Sequence, residues 1–167
     1  MHSKSDKINK LKLFWFSISV LVIIVDQATK WLSTQYFFLG ESFKIFPGFD
    51  LTLRHNTGAA FSLFDEGGGW QRWFLAGLAI VISFTIIIWL SQLNKKDKIE
   101  GLALSLILGG AIGNLIDRLL HGYVIDFILW YYQEWSWPAF NIADSAISVG
   151  VFLLFLMLFR QSFASRI

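Results

Sequence analysis

The sequence predicts an all-α membrane protein: four transmembrane helices with a small outward-facing antiparallel β-sheet and a short interfacial helix. Three observations carry this reading. Of 167 residues, 55% are hydrophobic and only 16% charged, against about 45–50% and about 25% in soluble domains. Four stretches approach the roughly 20 apolar residues that a spanning helix requires. The few cations are also sorted by loop, as the orientation of a membrane protein demands. At this length a single polytopic domain over 1–167 is expected.

The first span runs from about Leu11 to Trp31, with the uncharged core Leu13–Val25. Lys4, Lys7, Lys10 and Lys12 ahead of it would also suit a cleavable secretory signal. No A-x-A-like cleavage site follows Val25, however, and three more spans come after it, so the segment reads as a retained helix. These further spans cover about Trp70–Leu90, Gly101–Leu120 and Ala139–Phe159. The N-terminal tail, the loop with Lys95, Lys96 and Lys98, and the end with Arg160 and Arg166 hold nine cations against three acids, a net of +6. The remaining loops and span ends hold five cations against nine acids, a net of −4. Both termini are therefore expected to be cytoplasmic. Trp31, Trp70, Trp73, Trp130, Trp135 and Trp137 fall near the outer interface, with Trp15 and Trp89 near the inner one. Indole favours that level because it is apolar with one N–H.

The outer loops carry strand signals, with a sheet region at about 39–56. Phe49, Leu51 and Leu53 alternate with Asp50, Thr52 and Arg54, which is strand periodicity. Ser42–Phe46 precedes them, and Pro47-Gly48 suits the two central positions of a type II turn. Tyr123–Phe127 reads as a further strand. Ala59–Phe64 suits one or two helical turns with Phe61 and Phe64 toward lipid. Gly58 and Gly67–Gly69 flank it, hinges that would allow it to move as a lid, and the sequence leaves open whether it does. No internal repeat is visible.

Composition removes several function classes. With no cysteine there is no disulfide framework, thiolate metal site, thiol nucleophile or lipid anchor on this chain. Three scattered histidines (His2, His55, His121) without H-E-x-x-H give no metal site, and no cofactor is expected. A net charge of +2 does not argue for nucleic acid. Neither G-x-S-x-G nor Ser-x-x-Lys occurs.

Ionisable residues inside spans are costly and point to function. Here they collect at the outward ends of spans one, three and four. Asp26 and Lys30, four apart, can pair on one helix face. Gly101, Ser105, Gly109 and Gly113 recur every four residues, a spacing that lets helices approach closely. Beside them Gly110, Asn114, Asp117, Arg118 and His121 share a second face. Arg118 then either pairs permanently with Asp117 or is free to contact a substrate carbonyl or orient a carboxylate. Asn141, after Pro138, is a good N-cap with Asp144 in the first turn. Asp144 admits another reading together with Asp126. Two carboxylates in one apolar site share a proton, so one can act as base for a water while the other polarises a carbonyl.

Five blocks gather these residues: Asp26–Lys30, Asn56–Phe61, Gly109–Arg118, Val124–Phe127 and Phe140–Ser145. In their order and spacing the sequence resembles the type II signal peptidases, membrane aspartyl peptidases that process bacterial prolipoproteins. The resemblance implies that Asp126 and Asp144 are the catalytic pair. It implies that Asn56, Gly58, Asn114, Asp117, Arg118 and Asn141 line or support the pocket, with Asp26 and Lys30 more remote. The implied partners are lipid-modified prolipoproteins, cut on the amino side of a diacylglyceryl-modified cysteine, and membrane lipids. A monomer in the bacterial cytoplasmic (inner) membrane is expected, its site at the outer, periplasmic face. The other reading weighed, a small proton-coupled transporter, expects acids near the bilayer midplane and two-half symmetry. A lipid head-group transferase would need a D-x-x-D motif, which is absent.

Overall fold

The computed structural model describes residues 2–58, 69–94 and 97–164. In chain order the elements are α1 (His2–Tyr36), β1 (Ser42–Phe46), β2 (Phe49–Asn56), α2 (Trp70–Gln92), α3 (Lys98–Leu120), β3 (Val124–Tyr132), β4 (Trp135–Ser136) and α4 (Ile142–Ala164). Each of the four helices is long and apolar enough to cross a membrane. The expected interfacial helix and candidate lid, Ala59–Phe64, lies outside the described residues.

Several helix ends differ from the expected spans, and at two of them the local structure gives the reason. α1 continues past Trp31 to Tyr36, because Ser33–Tyr36 contains no breaker; the Phe37 N–H closes its last turn on Ser33 at 3.0 Å. α4 starts at Ile142 rather than Ala139. Phe140 is held extended beside Ile128, exchanging backbone hydrogen bonds at 2.9 and 3.0 Å, so the helix cannot begin before it.

α3 is the central helix and packs on the other three. Its small residues are what allow this. Gly101 lies under the Trp15 indole, Gly109 against Val22 and the Ser19 carbonyl, and Gly113 against Asp26, all on α1. Ser19 Oγ donates to the Ser105 carbonyl at 2.9 Å across the same seam. On the other side Gly110 meets Ala143 and Ile147, and Gly150 of α4 meets Ile107 and the Ala103 carbonyl. Away from the end that bears the sheet the interior is apolar, built from Trp15, Ile86, Leu90, Leu93, Leu104, Ile107 and Leu108. Trp15 is thus turned into the bundle instead of standing in an interfacial belt. Trp31, Trp70, Trp73, Trp130 and Trp135 are exposed, as anchors should be.

The four strands form one antiparallel sheet in the order β1-β2-β3-β4. Pro47-Gly48 makes the first hairpin turn, with Gly48 at φ +93° where a type II turn needs a positive value. The alternation read in β2 breaks at Thr52 and Leu53, which are both buried. A bulge between Leu51 and Arg54 shifts the register against β3 and turns Thr52 inward. There its hydroxyl donates to the Glu41 carbonyl at 2.6 Å.

Candidate active site

Two aspartates from different elements meet where α4 begins. Asp126 is the third residue of β3 and is buried. Asn56, last in β2, pairs with Val124 and so lies diagonal to Asp126 on the same sheet face. Its Nδ2 donates to Asp126 Oδ2 at 3.0 Å, while its Oδ1 accepts the Gly58 N–H at 3.1 Å.

Asn141 joins the two aspartates. Its Nδ2 donates to Asp126 Oδ1 at 2.7 Å and to the Ile125 carbonyl at 3.2 Å. Its Oδ1 accepts the Asp144 N–H at 2.9 Å, and Asp144 Oδ2 accepts the Asn141 N–H at 3.3 Å. This reciprocal pair is a capping box on α4, so the N-cap reading and the two-aspartate reading of Asp144 are compatible. Asn114 of α3 completes the ring, its Nδ2 donating to Asp144 Oδ1 at 2.8 Å.

Behind this layer lies a buried charge cluster. Lys30 Nζ reaches Asp26 Oδ2 and Asp117 Oδ2, each at 2.8 Å, and donates to Asn114 Oδ1 at 2.9 Å. All three charged side chains are at most 2% exposed. Such burial is tolerable because every oxygen also finds a donor. Asp26 Oδ1 accepts the Ala143 N–H at 2.8 Å, and Asp117 Oδ2 the Ile125 N–H at 3.1 Å. Gln27 Nε2 bridges Asp26, Asp117 and the Gly113 carbonyl at 2.9–3.2 Å. Lys30, expected with Asp26 to be more remote, stands one amide, Asn114, away from Asp144, and Asp26 takes the N–H of the adjacent Ala143.

Asp117 therefore pairs with Lys30 and not with its neighbour Arg118. The Arg118 guanidinium instead donates to the carbonyls of Gly58 (3.1 Å) and Asn114 (3.4 Å). His121 leaves the shared face, since it caps α3 and lies beside Tyr123, which stacks on His55 at 3.8 Å. Among the described residues no cluster of His, Cys, Asp and Glu could hold a metal.

Burial pushes the Asp126 carboxyl up to about 7, with the Asp144 charge adding to the rise and the Asn56 and Asn141 amides opposing it. A carboxyl that keeps its proton near neutrality, beside a second carboxylate, is equipped for acid–base work. Sequence reasoning missed Gln27 and Arg72. Gln27 stood inside the first block but carries no charge, and Arg72 counted only toward the charge of the outer loops.

The family model described as Signal peptidase (SPase) II matches residues 18–160. The lipoprotein signal peptidase of Teredinibacter turnerae is 53% identical over 89% of each chain. That of Acinetobacter baumannii is 49% identical over 85% of this chain and 81% of its own. A bacterial membrane enzyme solved by the in meso method at 2.3 Å superposes with a TM-score of 0.80 at 32% identity, covering 89% of each chain. Another, at 1.9 Å, gives 0.76 at 33% identity, over 87% of this chain and 92% of the other. With four apolar helices, a small antiparallel sheet and these matches over most of its length, the chain belongs to the signal peptidase II family of bacterial membrane peptidases.

Proposed function

We propose that the chain is an aspartyl lipoprotein signal peptidase of the bacterial inner membrane. It removes signal peptides from diacylglyceryl-modified prolipoproteins by cutting on the amino side of the lipidated cysteine. The observation that carries the reading is the pair of carboxyls joined through one buried residue, Asn141, whose side-chain amide donates to Asp126 Oδ1 and whose backbone N–H donates to Asp144 Oδ2. Asp126 holds the proton and donates it to the scissile carbonyl oxygen. Asp144, ionised, takes a proton from a water that attacks the carbonyl carbon, and returns it to the leaving nitrogen as the C–N bond breaks, while Asp126 takes its own proton back from the collapsing gem-diol. Asn56, Asn114 and Asn141 orient the pair. Arg118 and Gly58 border the substrate path, where the guanidinium meets a backbone carbonyl of the substrate. Asp26, Lys30 and Asp117 fix the helices that carry these groups.

A substrate held by its own signal helix and lipid diffuses in the bilayer, so a site at the outward ends of the helices needs only a lateral approach. The charge split favours cytoplasmic termini and a periplasmic site, and one polytopic domain working as a monomer suffices for the pair. Asp126→Asn and Asp144→Asn, assayed on a lipid-modified precursor, should each lose at least about 100-fold in turnover. Near-normal turnover in either variant would overturn the assignment.

A further inference from the structure

Arg72 lies outside every motif block, at the start of α2, yet its guanidinium reaches the end of α3. Nε donates to the Arg118 carbonyl at 2.7 Å and Nη2 to the Leu119 carbonyl at 2.8 Å. The guanidinium carbon sits 4.8 Å from the Trp73 ring centroid, a cation–π contact that steadies it. The last carbonyls of a helix have no partner within the helix. Those of Asp117 and Arg118 accept the His121 and Gly122 N–H groups at 2.8 and 3.2 Å. Arg72 adds a second donor at Arg118 and supplies one at Leu119, and its charge meets the negative end of the helix dipole. Two donors on one rigid edge belong to a guanidinium and not to an ammonium.

The turn held in this way carries much of the site. Asp117 takes the Ile125 N–H, and Arg118 reaches Gly58. Directly beyond, Gly122 at φ +89° turns the chain into β3, four residues before Asp126. A Cβ at Gly122 would lie 3.2 Å from Arg72 Nη1, so the guanidinium fills the corner where α3 becomes β3.

We propose that Arg72 is a positioning residue for the reaction, an inference that rests on the peptidase reading above. It holds the last turn of α3 and the Gly122 corner so that Arg118 and Asp126 keep their places. Displacement of a reacting group by about 1 Å costs up to ~100-fold in rate. A mere tie between α2 and α3 would instead alter stability and leave the rate of each folded molecule unchanged.

The test uses Arg72→Lys, which keeps the charge and loses the two-point contact, and Arg72→Ala. Both are assayed on a lipid-modified precursor, with rates normalised to the folded fraction from thermal unfolding. In each, kcat should fall at least about tenfold while KM changes less than about threefold. Added guanidinium ion should restore several-fold of the kcat of Arg72→Ala, and methylammonium at equal concentration should not. Unchanged kcat per folded molecule in Arg72→Lys, or an equal response to the two cations, overturns the inference. No turnover by the unsubstituted chain would instead remove the peptidase reading, and this inference with it.

Discussion

At the scale of single residues, the proposed role of Asp126 ties activity to the protonation of its carboxyl. Its ordinary value of 3.8 is pushed up to about 7, first by burial and then by Asp144. The folded protein therefore holds a proton that the unfolded chain releases between those values, and this group's contribution to stability falls as pH rises through the same window. If that proton serves the carbonyl, kcat/KM should decline as pH climbs past about 7. A pH–rate profile checks this, and a flat profile to pH 9 would contradict it. That Asp126 and Asp144 come together was legible, because motif spacing and chemistry agreed on it. Gln27 and Arg72 were not legible. Their partners on α3 lie 86 and 90 residues away for Gln27, and 46 and 47 for Arg72, and neither an amide nor a lone cation at a span end announces such a contact.

At the scale of elements, the four-residue spacing of small side chains in α3 was the most informative periodic signal. It anticipated a close helix seam, which the contacts of Gly101, Gly109 and Gly113 with α1 supply. A Cβ on Gly109 would lie 2.8 Å from the Ser19 carbonyl oxygen and 2.6 Å from Val22 Cβ. Backbone cannot yield there without separating the helices. Gly109→Ala should thus lower stability by about 1–3 kcal/mol in thermal unfolding in detergent. Gly77→Ala, on α2 with nothing within 4 Å of the new methyl group, should leave stability unchanged or slightly raised. The bulge in β2 was not legible. It arises from pairing with β3, more than 70 residues on, and local alternation cannot encode that shift. The start of α4 was misplaced for a similar reason, since a cross-strand bridge holds Phe140 extended.

At the scale of the whole molecule, composition alone gave the membrane class, and the sorted cations gave an orientation. Alkaline phosphatase, which is active only outside the cytoplasm, should be inactive when fused after Arg160 and active when inserted at the Gln133–Glu134 turn. The opposite pattern would reverse the assignment of sides. The buried lysine has a reach that extends across the bundle. An ammonium has no lone pair, so Lys30 compels Asn114 to turn its oxygen toward it and its NH₂ toward Asp144. Asn141 donates to that same Asn114 oxygen from the other side, and to Asp126 Oδ1. All four carboxylate oxygens of Asp126 and Asp144 thus meet donors. Among the described residues they meet no acceptor. A proton carried by the pair is therefore left facing the other carboxylate, or whatever molecule lies between the two.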